Sequence, residues 1–139
     1  MLASRDTVAG LIAREEARGI PASNIFLAGF SQGGAVAYLT GLTYAKPLAG
    51  IIALSTYIPS PAQATQLATT ASRATRLFIA HGMHDDVVSL KLGEMARDLV
   101  AALGYAFDWQ TYPMGHEVCL PEIQAIGAWI NARISHGTS

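Results

Sequence analysis

The sequence is poor in cysteine, because Cys119 is the only one in 139 residues. A single thiol cannot form an intramolecular disulfide, and it cannot by itself build a cysteine-cluster metal site. Such cysteine usage is typical of a protein that resides in a reducing compartment.

Charge is also scarce and forms no basic stripe. Charged residues make up 14% of the chain, and 9 lysines and arginines against 10 aspartates and glutamates leave a net charge of −1. The cationic residues are scattered singly, whereas a nucleic-acid binder clusters them to neutralise phosphates. We therefore expect no nucleic-acid partner.

Long apolar runs are missing as well. No stretch approaches the roughly 20 apolar residues that a membrane helix requires. The opening stretch MLASRDTVAGLIAREEARG carries Arg5, Asp6 and Arg14, so it lacks the uninterrupted apolar centre of a signal peptide. From these features we expect a soluble, cytoplasmic protein.

Hydrophobic residues as a class are plentiful, at 51% of the chain. This balance suits a compact globule and argues against disorder. A chain of 139 residues is long enough for one domain that buries a real core. We therefore treat residues 1–139 as a single domain, part of a larger fold as explained below.

Short apolar runs alternate with helical patterns along the chain. The runs are almost wholly hydrophobic, which is typical of parallel strands buried on both faces. Their alternation with helices predicts an α/β domain with a mainly parallel sheet of about four strands and flanking helices. The predicted strands are 24–29, 48–55, 76–82 and 107–113, and the predicted helices are 5–18, the segment GAVAYLTGL, a weak 62–72, 90–104 and 121–134, before a frayed polar tail that contains His136.

The stretch GFSQGG ends the first predicted strand and opens a helix. In this context Gly-x-Ser-x-Gly indicates a nucleophile elbow, a strained turn that raises the serine hydroxyl above the sheet. Side chains at Gly29 or Gly33 are expected to collide across that turn. The helix would direct its first amides, including that of Gln32, at negative charge developing on a group bonded to Ser31. The alternative is that Ser31 merely caps the helix.

A serine nucleophile needs an acid and a histidine, and a site built on a nucleophile elbow takes them in the chain order serine, acid, histidine, each from the carboxyl end of a later strand. Asp85 and Asp86 come just after the third predicted strand, and His116 comes just after the fourth. The aspartates also fit a solvated or helix-capping turn, and His116 fits a packing role. His81 and His84 both come before Asp85 in the chain, whereas the base is expected to follow the acid, so neither fits the role of base.

Four stretches together resemble a known family: GIPASNIFLAGFSQGGAVAYLTGL, LAGIIALSTYIP, HGMHDDVVSLKLG and YPMGHEVCLPEIQAIGAWI. They look like the bacterial carboxylesterases of the acyl-protein thioesterase and phospholipase branch of the α/β-hydrolases. The resemblance implies Ser31 as nucleophile, Asp85 as orienting acid and His116 as base, with Asp86 a neighbour in the turn. It implies hydrolysis of an ester or thioester without a metal or organic cofactor.

The resemblance does not indicate which acyl group is cleaved, but apolar residues near the predicted site favour some acyl groups over others. Tyr57, Met83 and Val88 are expected to contact the substrate, and they favour a short-to-medium apolar acyl group over a sugar or a phosphate. Such residues are also ordinary core residues. The leaving group is not indicated by the sequence.

One departure from the family concerns the region before the elbow. Family members carry further strands there and an HGLG-type loop that supplies a second oxyanion amide, and no such loop precedes Ser31 here. We therefore expect a truncated hydrolase in which strand 24–29 is an unprotected apolar sheet edge, covered by a second copy in a homo-oligomer. The alternatives are a catalytically impaired fragment dominated by self-association and, least favoured, an acyl-binding scaffold with an idle triad.

Overall fold

The computed structural model describes residues 1–137, the last three by their backbone alone. Four parallel strands form one sheet in the order β1-β2-β3-β4, which confirms the predicted α/β class. The strands are β1 Phe26–Phe30, β2 Gly50–Leu54, β3 Leu77–Gly82 and β4 Phe107–Tyr112. The helices are α1 Leu2–Ala17, α2 Gln32–Thr43, α3 Pro61–Leu67, α4 Leu90–Ala102 and α5 Leu120–Gly137.

The sheet separates two hydrophobic layers, because successive side chains of a strand point to opposite faces. Ile51 and Ala53 of β2 pack with α2 and α4 on one face. Ile52 and Leu54 pack on the other face against residues of α5. Both central strands, β2 and β3, are buried along their whole length, as the continuous apolar runs predicted.

The first strand differs from the central two. β1 pairs with β2 alone, so within residues 1–137 it is an edge strand, as expected. The expectation that this run is buried on both faces is wrong, because Ala28 and Phe30 are exposed. These two residues share the face on which Phe26 packs in the α5 layer, and the described helices do not extend over them.

Some predicted boundaries move for local reasons. A 3-10 helix, Ala22–Asn24, follows Pro21 and delays the start of β1. The predicted helix 62–72 is shorter, because the amide and the hydroxyl of Thr69 both donate to carbonyls at the end of α2. α5 runs on through the start of the predicted tail, while the side chain of His136 and residues 138–139 lie outside the described part.

In the stretch that the structure describes, no helix is long and apolar enough to span a bilayer.

Candidate active site

Ser31 occupies a strained turn between β1 and α2. Its φ of 57° and ψ of −123° lie in a region that side chains other than glycine rarely adopt. Its N–H donates to the carbonyl of Leu54 at 2.9 Å, and its carbonyl accepts from the Thr56 hydroxyl at 2.5 Å and the Ala35 amide at 3.2 Å. These bonds tie the turn to β2 and to the residues after it, so the strain is held by its surroundings.

Two glycines make this turn possible. A Cβ on Gly29 would overlap the backbone of Gly33 and lie 2.5 Å from the nitrogen of Gly34, as the sequence predicted. A Cβ on Gly34 would lie 2.6 Å from the Cβ of Thr56. The prediction that Gly33 is equally constrained is wrong, because its Cβ would meet no atom within 4 Å. The elbow therefore requires glycine at positions 29 and 34, where a side chain would clash.

The side chain of Ser31 does not cap α2. It makes no capping hydrogen bond, although the residue stands at the N-cap position. Its Oγ instead lies 3.0 Å from Nε2 of His116. The capping alternative is therefore wrong for this serine, and its hydroxyl is directed at an imidazole.

The imidazole of His116 joins the serine to an aspartate. Nδ1 of His116 lies 2.7 Å from Oδ2 of Asp85, while Oδ1 of Asp85 accepts the amides of Val87 at 2.9 Å and Val88 at 2.8 Å. Asp86 is exposed and takes no part in these bonds. We call Ser31, His116 and Asp85 the triad. The structure thus brings the three predicted residues into one chain of contacts.

The surroundings of Asp85 keep it ionised. Burial by itself raises the pKa of this carboxyl, whereas the hydrogen bonds from His116, Val88 and Val87 lower it, and the net pKa lies below the ordinary value. A carboxylate at this position can orient the imidazole and stabilise its protonated form.

The loops after β3 and β4 are tied together, which brings His116 to Asp85. The amide of Met83 donates to the carbonyl of Tyr112 at 2.8 Å. Gly82 permits this approach, because a Cβ there would lie 2.5 Å from the carbonyl oxygen of Met114. The meeting of acid and base therefore depends on a glycine at the end of a strand.

The other predicted site residues are accessible to solvent, with one exception, Val88. Gln32 begins α2 and is exposed, so its amide is one of those without an acceptor inside the helix. Met83 is exposed and Tyr57 is half-buried. Val88 departs from the prediction, because it is only 5% exposed and its neighbour Val87 is 67% exposed. The side chain of Val88 is therefore buried and its backbone amide contacts Asp85, whereas the side chain of Val87 is exposed to solvent.

Sequence reasoning missed three residues beside the triad. Thr56 holds the carbonyl of Ser31, and the ring centroid of Phe30 lies 4.6 Å from that of His116. His81, set aside because of its place in the chain, lies with Nε2 2.8 Å from the carbonyl oxygen of Val88. Position along the chain was the signal that could have found them, because each of the three lies within two residues of the carboxyl end of a strand.

A cavity of about 320 Å³ opens at the opposite end of the sheet. Phe26 and Ala49, where β1 and β2 begin, line it together with Ile130 and Arg133 of α5. Ser31 follows the other end of β1, so the cavity does not adjoin the triad. The connected polar groups described above converge at the triad and not at this cavity.

Comparison with known proteins decides the family. Residues 1–134 match the phospholipase/carboxylesterase family, whose fold is that of the α/β-hydrolases. This chain belongs to the phospholipase/carboxylesterase family. Acyl-protein thioesterase 1 of Neurospora crassa is 45% identical over 127 residues, which are 89% of this chain and 52% of that protein. Acyl-protein thioesterase 1 of Mycosarcoma maydis is 40% identical over 116 residues, 80% of this chain and 48% of that protein.

Solved structures agree with the family assignment. The crystal structure of Arabidopsis thaliana SOBER1 superposes with a TM-score of 0.92 at 28% identity, covering 96% of this chain and 64% of that one. This chain spans about half the length of the curated relatives that it matches. The relatives named above are fungal and plant proteins, so the bacterial branch suggested by the sequence stays a prediction.

Proposed function

We propose that this member of the phospholipase/carboxylesterase family is a serine hydrolase that cleaves carboxylic esters or thioesters. The observation that carries the proposal is the connected triad, with 3.0 Å from Ser31 Oγ to His116 Nε2 and 2.7 Å from His116 Nδ1 to Asp85 Oδ2. The strained backbone at Ser31 supports it, because such strain concentrates at functional sites.

The proposed reaction has two steps. Ser31 Oγ attacks the substrate carbonyl while His116 Nε2 takes the hydroxyl proton, and the imidazolium then protonates the departing alcohol or thiol. Water next attacks the acyl-enzyme, giving one proton to His116, which returns it to Ser31 Oγ as the carboxylic acid leaves. Asp85 holds His116 in the tautomer with its proton on Nδ1 throughout. No step requires a metal or an organic cofactor.

Negative charge on the tetrahedral intermediate would be met by the amide of Gln32 at the start of α2. In α/β-hydrolases this donor acts with a second amide from an earlier loop. Loss of one oxyanion donor costs about 10²–10³ in kcat. We therefore expect turnover by the 139-residue chain to be slower than that of its relatives by about that factor where Gln32 acts alone.

The acyl group is proposed to be apolar and of short to medium length. The names of the relatives include both thioesterase and carboxylesterase. Exposed apolar side chains lie close to the triad residues in the chain: Phe30 directly precedes Ser31, and Met83 and Val87 lie two residues on either side of Asp85. We also propose a cytoplasmic location, which the cysteine usage supports.

The decisive experiment is Ser31→Ala with purified protein and a panel of activated acyl esters. We expect turnover to fall to background with the thermal melt unchanged, and a serine-directed phosphonate to add once per chain at Ser31. Ser89→Ala is the matched control, because Ser89 also stands at a helix N-cap without a side-chain capping bond. Undiminished hydrolysis by Ser31→Ala, or labelling at another residue, would contradict the proposed function.

A further inference from the structure

His81 is a second histidine beside the acid of the triad, and it is 1% exposed. Its Nε2 lies 2.8 Å from the carbonyl oxygen of Val88 and 3.6 Å from Oδ2 of Asp85. A carbonyl oxygen can only accept, so the proton of the shorter contact sits on Nε2 of His81. The imidazole is therefore a donor directed into the turn that carries Asp85.

Val88 connects this histidine to the acid through its backbone. Its carbonyl accepts from His81, while its amide donates to Oδ1 of Asp85 at 2.8 Å. Both polar backbone groups of one buried residue are thus engaged, one by His81 and one by the carboxylate. Any shift of His81 would move Val88 and, with it, one of the two amides that orient Asp85.

Gly93 of α4 sets the position of the His81 ring. A Cβ on Gly93 would overlap Nδ1 of His81 and lie 2.9 Å from its Cε1. Nδ1 of His81 has no hydrogen-bond partner among the described residues. The ring is therefore located by packing against Gly93 on one side and by its bond to Val88 on the other.

We infer that His81, packed against Gly93, is a positioning residue that orients Asp85 toward His116 through the backbone of Val88. This inference rests on the proposed function, because it gives His81 a task in the same reaction. It adds a residue outside the triad that touches neither the substrate nor the reacting atoms. Errors of position as small as 1 Å can cost about 100-fold in rate, so the arrangement matters for chemistry as well as for folding.

The test compares His81→Leu, which removes the donor, with His81→Gln, whose Nε2 can still donate to the Val88 carbonyl. Two readouts are taken: kcat and KM on an activated acyl ester, and the low-field NMR signal of the proton that His116 Nδ1 shares with Asp85. For His81→Leu we expect kcat to fall about 10- to 100-fold with KM little changed, and the signal to shift or broaden. His81→Gln should recover most of both.

A second pair covers the case in which His81→Leu does not fold. Gly93→Ala should displace the ring and reproduce the loss of kcat and the altered signal. Gly10→Ala is its matched control, because a Cβ at this other helical glycine would meet no atom within 4 Å. Folded His81→Leu or Gly93→Ala protein that keeps the parent kcat and the parent signal would overturn the inference.

The failure of the proposed function would look different. In that case the parent chain would hydrolyse no ester and Ser31 would take no phosphonate, while the NMR comparison would still decide whether His81 orients Asp85. A parent that is active, with all variants equal to it in both readouts, would leave the proposed function standing and refute the role of His81.

Discussion

Asp85 is the residue on which most of the polar contacts of the site converge. Its two carboxylate oxygens take the imidazole of His116 and the amides of Val87 and Val88, whereas Asp86 points away into solvent. The same short turn thus holds two chemically identical side chains with different surroundings. Only the first is placed to control the tautomer of a histidine.

At this scale we predict that Asp85→Asn damages the reaction and Asp86→Asn does not. An amide can donate to Nδ1 of His116 and so favours the wrong tautomer, which in triads of this type lowers kcat about 10⁴-fold. Asp86→Asn should stay within about twofold, as is usual for exposed sites without special contacts. The rates of ester hydrolysis and of phosphonate labelling are the measurements. A larger loss for Asp86→Asn, with both proteins folded, would show that the acid is assigned wrongly.

Stability against pH gives a check of Asp85 that needs no activity. Because the contacts of the folded state hold the pKa of Asp85 below its ordinary value, the unfolded state binds more protons as pH falls. The contribution of Asp85 is therefore present above the unfolded pKa and is lost as pH falls through the folded pKa. Urea unfolding should show a shallower loss of stability in acid for Asp85→Asn than for the parent.

The elbow between β1 and α2 directs the hydroxyl of Ser31 at His116 and away from the start of the helix. β1 supplies Gly29, whose missing side chain lets the backbone of Gly33 cross closely above it, and α2 supplies Gly34 against Thr56. The pattern Gly-x-Ser-x-Gly alone suggests equal roles for its two glycines. In the structure only Gly29 of the two has no room for a side chain, because a Cβ on Gly33 would face open space.

We therefore predict that Gly29→Ala destabilises the protein and Gly33→Ala does not. Forcing a methyl group into the closed turn should cost about 1–3 kcal/mol or more of unfolding free energy, as overpacking does. Gly33→Ala should be neutral or stabilising by up to about 1 kcal/mol, since alanine is the better helix former. Urea denaturation of both variants is the measurement. Equal destabilisation by the two substitutions would contradict the steric account.

Within residues 1–137 the sheet ends in two edge strands, β1 and β4, and β1 is the edge that carries exposed apolar side chains and no charged residue. β1 pairs with β2 only, and Ala28 and Phe30 are exposed on one face of that strand. Unpaired backbone groups along an apolar edge recruit further strands, and the strand carries no charge or proline to prevent it. This part of the molecule stands next to the elbow, so whatever covers it also borders the proposed site.

We predict that the 139-residue chain self-associates through this edge into a dimer or a higher oligomer. Ala28→Lys should shift the population toward monomer, because a charge on an edge strand opposes pairing. Ala128→Lys, at an exposed position on α5, is the control that adds the same charge elsewhere. Sedimentation velocity across micromolar concentrations measures both. A well-folded monomer with a cooperative melt at all concentrations would refute the prediction.

The order of the elements and the motif at the elbow could be predicted because each depends on neighbours in the chain. Alternating apolar runs and helical spacing indicated four strands and the helices between them, and the prediction was confirmed. The order of Ser31, Asp85 and His116 along the chain placed all three at one sheet edge. These features depend on periodicity and short-range sterics, which the sequence carries locally.

The sequence by itself therefore determined the α/β sheet and the loops on which the candidate residues stand. Tertiary structure decided which side chains point where: the buried Val88 beside the exposed Val87, the open space at Gly33, and His81 as a donor into the acid's turn. Side-chain direction in a loop depends on contacts between residues far apart in the chain. The approach of Gly82 to the carbonyl of Met114 is such a contact, and no local pattern encodes it.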